Sequence, residues 1–243
     1  MAVKSGLGSN FYLDGYDLSG DVTALNEISS PRSLLEVPGI DKSSMTRLLG
    51  NTTGVIDMST WFNDAAGQSL PVLAALPRTD IHMMYTQSTT RGDQAAGLVA
   101  KQIDLGWTRA TDGSLVGHCR GEGNSSPLEW GELLTAGKDT HSSAASASSV
   151  DYGASTPAGA SGYLQVFSVA SGSVTLTIED SSNDSSFSTL KAFTATSGRT
   201  KERVTVSGTV DRYARITSSG TFSAAVFAAL LHRGDAAEVE ALT

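Results

Sequence analysis

Hydrophobic and polar positions alternate in residues 55–62, VIDMSTWF, where Ile56, Met58 and Thr60 fall on one face and Val55, Asp57 and Ser59 on the other. A period of two is the mark of a strand with one buried side. Residues 80–88, DIHMMYTQS, read as a second strand, and residues 97–123 as a long hairpin turning near Asp112-Gly113. Earlier, residues 11–28 mix aromatic and β-branched residues with Asp-Gly and Ser-Gly breaks, which predicts two short strands. Residues 29–54 are punctuated by Pro31, Pro38-Gly39 and Gly50, so they read as a long loop with a short helix over 44–49. The one clear helix is expected in QSLPVLAALP, with Ser69 as cap, Pro71 in its first turn and Pro77 as its stop. Residues 127–134, PLEWGELL, read as a turn leading into a short amphipathic segment.

The pattern changes at residues 140–162. Nineteen of these twenty-three residues are Ser, Ala, Thr, Gly or Pro, too little apolar bulk to repay the entropy of ordering a core. The stretch therefore reads as a linker. Beyond it come short segments such as YLQVFSVA, SVTLTIED, ERVTVSG and RYARITS, separated by Ser/Gly-rich breaks. In the second of them Val174, Leu176 and Ile178 face one way and Thr175 and Thr177 the other. That predicts a small β-sandwich or jelly roll.

The expected fold class is mainly β with one or two short helices. Residues 1–139 form a sandwich or barrel domain that opens with a mobile arm and includes the long loop. Residues 140–162 are the linker, residues 163–233 a second small sandwich, and residues 234–243 a flexible tail.

Charge narrows the function. The net charge is −8 over 243 residues. Ten Lys and Arg stand against sixteen Asp and Glu before Thr140, and seven against nine from there on. An acidic first domain is a poor gripper of nucleic acid, because phosphate binding needs clustered Lys and Arg. The longest apolar run, AAVFAALL at 224–231, is too short to span a bilayer, and MAVKSGLGSN lacks a signal-peptide core, so a soluble chain without membrane insertion is expected. Cys119 is the only cysteine, which rules out an intrachain disulfide.

Candidate chemistry is sparse. No G-x-S-x-G, P-loop or H-E-x-x-H pattern occurs, and His82, His118, His141 and His232 lack ligand spacing. DSSNDSSFSTLK resembles a calcium loop only at Asp180 and Asp184, since Ser185 replaces the turn glycine and Lys191 stands where the bidentate Glu belongs. Arg91-Gly92-Asp93 and Arg233-Gly234-Asp235 match an adhesion tripeptide by three residues alone. Glu129 and Glu132 could be read as a glycosidase pair, but nothing marks them as one. Trp61, Trp107 and Trp130 are read first as core residues and second as a stacking platform or interface anchor. No catalytic, cofactor-binding or metal-binding residue is assigned, and the chain is not expected to be an enzyme.

The runs LEVPGIDKSSMTRLLGNTTGVIDMSTWFND, QSLPVLAALPRTD and GLVAKQIDLGWTRATDGSL resemble the major tail, or tail-tube, proteins of long-tailed siphovirus-type phages of actinobacteria. The resemblance covers most of residues 11–135. It implies a virion protein, assembled in the host bacterial cytoplasm, that forms rings, usually hexameric, whose inner strands close into a continuous barrel. The arm and long loop, here 1–12 and 36–50, would bind the next ring. Tape-measure and tail-terminator proteins are the implied partners, and the genome would pass through an acidic lumen without specific binding during ejection. RYARITSSGTF, residues 212–222, is similar to strands of the immunoglobulin-like sandwiches that many such proteins display outside the tube. Weak contact with the host surface, or simple decoration, is what that implies. Two other readings remain at this point. One is a capsid decoration or head-fibre protein. The other is a carbohydrate-binding protein, which is weakened because all three tryptophans precede the linker.

Overall fold

The computed structural model describes residues 5–37, 39–41, 43–75 and 79–234. The outer part of the expected arm, Pro38, the helix stop at Pro77 and nearly all of the expected tail lie outside the described residues. The chain opens with β1 (Asn10–Leu13), β2 (Tyr16–Asp17), β3 (Val22–Ser29), β4 (Arg32–Val37), β5 (Thr46–Thr52) and β6 (Val55–Trp61). Next come α1 (Ser69–Leu73), β7 (Ile81–Thr86), β8 (Gln94–Arg109), β9 (Leu115–Gly123) and β10 (Glu129–Leu133). The second half holds β11 (Asp139–His141), β12 (Ala145–Ser146), β13 (Val150–Asp151), β14 (Ala160–Ser181), β15 (Ser188–Ala192), β16 (Thr200–Val206) and β17 (Tyr213–Arg233). Strand accounts for 60% and helix for 2%, so the protein is mainly β, with sandwiched open sheets and, among the described residues, no closed barrel. No described helix is long and apolar enough to cross a membrane.

Three long strands, β8, β14 and β17, each serve two layers, which lets one hydrogen-bonded network fold into a stack of four. The first layer is β3-β6-β9 with the distal part of β8. The second is the proximal part of β8 with β7, β1 and β2. In the third, β16 and proximal β14 pair with distal β17. The fourth joins distal β14 to β15 and to proximal β17, with β12 and β13 on the outer edge. Strand β10 connects the two halves by pairing with β8 along one edge and β17 along the other.

Side chains alternate accordingly. From the second layer, Phe11, Leu13, Ile81, Met83, Ala96 and Leu98 enter one core with Ile56 and Met58 of the first layer. Their neighbours Tyr12, Met84 and Ala95 point the opposite way, into a core shared with Tyr163, Ala228 and Leu230 of the third layer. Leu164, Val166, Phe227 and Ala229 of the third layer then face Val174, Leu176, Ile178 and Ile216 of the fourth. The two middle layers are buried on both faces. Each fully buried large apolar side chain contributes about 1.5–3 kcal/mol relative to exposure.

This architecture corrects the linker. Residues 140–162 do not hang free, because β11, β12 and β13 add to β17 through registers such as Thr140↔Val226, Ala145↔Ser218 and Val150↔Ala214. Backbone hydrogen bonding suffices to hold a Ser- and Ala-rich stretch against a neighbouring strand, whatever its side chains lack in bulk. The expected sandwich at residues 163–233 likewise starts earlier, at Ala160.

The expected breaks SGS and SSG are bends inside continuous strands. Gly172 and Gly220 have φ of 81° and 107°. A Cβ on Gly172 would lie 2.1 Å from the Thr221 carbonyl oxygen, and one on Gly220 would lie 2.5 Å from that of Ser173. Two glycines nearly opposite each other thus let the β14–β17 ribbon turn the corner between layers.

Three other expectations change. Residues 11–28 hold three strands, and the short helix expected over 44–49 is strand β5, paired with β4 as a separate hairpin. Residues 129–133 of the amphipathic segment are β10. The expected helix forms, although Gln68 rather than Ser69 occupies its N-cap. Ser69 Oγ instead donates to the Trp61 carbonyl at 2.6 Å, while Asp21 accepts the Ser69 N–H at 2.8 Å.

Candidate functional site

The first layer leaves a strand edge unpaired on each side, as β2, β15 and β16 each do on one side in the other layers. Among the described residues β3 pairs with β6 alone, and the part of β8 beyond Gln102 pairs with β9 alone. Both outer edges therefore offer unpaired backbone groups, which in isolated proteins invite further strand pairing. A groove of about 250 Å³, lined in part by Phe11, Ser19, Leu25 and Tyr85, runs beside the free edge of β3.

The face of this layer turned away from the core is polar and acidic. One rung crosses all four strands, with Glu27 opposite Asp57, Asp57 opposite Arg120, and Arg120 opposite Asp104. Arg120 reaches Glu27 at 2.9 Å, Glu122 at 3.3 Å and Asp57 at 3.4 Å. His118 Nε2 lies 2.9 Å from Asp57, and its Nδ1 lies 3.3 Å from Asp104. Burial alone would raise the Asp57 carboxyl, but hydrogen bonds from Asn26, His118 and Arg120 outweigh it and hold the group below the usual carboxylate range. Hydrogen bonds from Ser29 and Arg120 lower Glu27 in the same way. Four carboxylates thus share one guanidinium and one imidazole.

The β4–β5 hairpin extends from the Ser29/Val55 end of the same layer. Leu34 pairs with Leu49 and Leu35 with Leu48, so alternation sends one leucine pair to each face of the ribbon. Leu34, Leu35, Val37, Met45, Leu48 and Leu49 are each about half exposed or more, and Ile40 is fully exposed. A monomer rarely leaves so much contiguous apolar surface in water. At the opposite end of β6, Trp61 is half exposed and the Phe62 ring meets Trp107 edge to face at 5.2 Å. Trp130, also exposed, packs its ring edge against Tyr85 at 6.2 Å. None of the three tryptophans is a fully buried core residue, which corrects the first reading of them.

The remaining sequence candidates do not converge. His82 lies between the two halves, His141 Nδ1 is 2.7 Å from Ser218 Oγ, and His232 Nδ1 donates to the Trp130 carbonyl at 2.6 Å. Glu129 is held by Arg203 at 2.8 Å, with Tyr163 and Ser161 beside it, whereas Glu132 does not share that cluster. Arg91 is turned inward to the Leu134 carbonyl and Asp139, both at 2.9 Å, so the first adhesion-like tripeptide does not present its arginine. The second ends at residue 235, outside the described residues. Asp180 accepts from the Asp211 N–H and Asp184 from Ser149, so these two acids serve different neighbours. Burial, aided by Asp57 and Asp104, pushes the Cys119 thiol up to about 12, away from thiolate chemistry. The acidic rung itself escaped the sequence reading. Its signal was the alternation of Asp57 and Ser59 in one strand with His118, Arg120 and Glu122 in the next.

No family model matches the chain, and no curated protein does. Among solved structures it is similar to the tail of an empty GTA particle refined helically with C6 symmetry. The TM-score is 0.40 at 11% identity, over 52% of this chain and 97% of that one. It is similar to the SPP1 Dit protein, a hub of the adsorption apparatus in phages infecting Gram-positive bacteria, with a TM-score of 0.36 at 11% identity over 93% and 99%. It is also similar to a chain of the phage P2 baseplate in its calcium-activated conformation, with a TM-score of 0.33 at 10% identity over 94% and 99%.

Proposed function

We propose that this protein is a structural, non-enzymatic subunit of a phage tail, a tail-tube component that assembles into rings, hexameric as in the resemblance, which stack into the conduit for DNA. The observation that carries the reading is the first layer, whose two free edges flank a sheet that is apolar inward and acidic outward. Strand addition between the β3 edge of one copy and the distal β8 edge of the next would remove both edges and continue the sheet around a ring. The rung of Glu27, Asp57, Arg120 and Asp104 would then line the lumen, where net negative charge repels the DNA backbone and prevents adhesion. The third and fourth layers lie on the far side of the stack from that rung and would stand outside the ring. The arm and the β4–β5 hairpin are the elements left to meet the next ring.

The test is negative-stain electron microscopy of the purified full-length chain at rising concentration. Rings and tubes with a central channel are the expected result, and a uniform monomer or trimer at every concentration would overturn the reading. The channel is tested by Asp104→Asn with Glu122→Gln, which should leave assembly intact and increase DNA retention inside tubes.

A further inference from the structure

Both free edges of the first layer carry the same two features. On β3 the register with β6 shifts between Leu25 and Glu27, and on β8 the register with β9 shifts between Gln102 and Asp104. Each edge strand thus has a β-bulge and, directly after it, a carboxylate on the acidic face. Bulges and charged side chains are what isolated proteins use to keep strand edges from pairing. The bases nearby do not offset these two carboxylates. Arg120 and His118 belong to β9, an inner strand, and Arg120 already contacts Glu27, Glu122 and Asp57. Lys101, before the bulge, pairs with Asp80 at 2.7 Å. On β3, and on β8 beyond Gln102, the only Lys or Arg is Arg109. It stands five residues after Asp104, an odd number, so alternation turns it to the opposite face of the strand.

We infer that these carboxylates guard the two edges, so that ring closure is held back by Glu27 and Asp104 across the seam and released when dissolved salt screens them. This rests on the tube reading and names what regulates the joint between copies within a ring. Joining β3 of one copy to distal β8 of the next sets a strand bearing Glu27 beside a strand bearing Asp104, with no base on the acidic face of either. Like charges on paired strands oppose the pairing. Neighbouring strands stand about 4.8 Å apart. An exposed charge acts over about 30 Å at 0.01 M salt and about 10 Å at 0.1 M. The register along the seam therefore changes the size of the repulsion and leaves its sign alone. The inward faces are apolar and gain from joining whatever the salt, so screening decides when that gain prevails.

The experiment follows ring formation by the full-length chain at fixed protein concentration as NaCl rises from about 10 mM to about 300 mM, using sedimentation with negative-stain microscopy of each fraction. Rings should be scarce at the low end and dominant at the high end. Asp104 is well exposed, so its substitution leaves the core intact. Asp104→Asn should move the midpoint to lower salt. Asp184→Asn makes the same change in net charge in the loop between β14 and β15 and should leave the midpoint in place. Asp104→Lys sets opposite charges across the seam and should reverse the trend, with rings most abundant at low salt. Wild-type rings formed equally at both ends of the range, equal shifts for the two Asn variants, or a Lys variant that still needs salt would overturn the guard and leave the tube reading standing. Rings absent from every variant at every salt concentration would overturn the tube reading and the guard with it.

Discussion

Tyr163 lies against Gly97 so closely that a Cβ at residue 97 would come within 2.7 Å of the tyrosine ring. The contact sits in the core between the second and third layers. Gly97→Ala should overpack that core and lower unfolding stability by about 1–3 kcal/mol in chemical denaturation. An unchanged midpoint would mean that the two layers separate easily.

The ion pair of Glu129 and Arg203 bridges β10 and β16 at 2.8 Å, with both side chains largely buried. Burial would raise the Glu129 carboxyl, but the bonds from Arg203 and Tyr163 hold it low. Arg203→Ala leaves the carboxylate buried without its partner and should cost about 3–5 kcal/mol. Adding Glu129→Gln to Arg203→Ala should recover part of that loss, and the double-mutant cycle measures how much belongs to the pair.

Acid should loosen the same junction through His82. Its imidazole is pushed down to about 4 by burial first and by the charge of Lys201 second. The unfolded chain has the ordinary histidine value near 6.5, so between about 6.5 and 4 the unfolded state binds the extra proton. Stability from this group is therefore complete above 6.5 and lost as pH falls through that window. Unfolding free energies measured from pH 7 to pH 4 should fall less steeply in His82→Asn than in the wild type. Parallel curves would show that His82 titrates alike in both states.

Truncation after Lys138 should not yield a folded first half. It would remove the cover of Tyr12, Met84, Ala95 and Leu133 and expose the free edge of β10. It would also remove Lys201, which pairs with Asp14, and Gln165, whose side chain bonds the Gly15 N–H and the His82 carbonyl. Aggregation or broad loss of amide protection is the expected outcome. A soluble fragment with a sharp unfolding transition would show that the first two layers fold without the others.

Where one face is buried and the other wet, the chain declares its strands, as in Ile56, Met58 and Thr60 against Asp57 and Ser59. The Asp112-Gly113 turn was legible for a similarly local reason, since Gly113 adopts a φ of 92°. The hairpin of β4 and β5 was hidden because adjacent leucines, Leu34-Leu35 and Leu48-Leu49, show no alternation when both faces are apolar. Gly172 and Gly220 signalled interruption when they permit a bend. The Ser- and Ala-rich stretch owes its order to hydrogen bonds with β17, a partner more than sixty residues away in the chain, and no local pattern encodes such a partner. The acidic face was half visible, since its alternating strands could be read but not the register that sets Glu27, Asp57, Arg120 and Asp104 in one row.

The late position of β17 sets an order of events during synthesis. Strand β10 leaves the ribosome about a hundred residues before Leu230 and Leu231, which cover it. At about 5–20 residues per second the interval is roughly 5–20 s. During that time the second layer has one apolar face without its cover, and the nascent chain is a client for whatever shields such surfaces in the cell. Completion of the third layer is then a signal that synthesis has passed β17. A copy terminated before β17 would lack it, and so would be kept from joining an assembly by its own failure to fold.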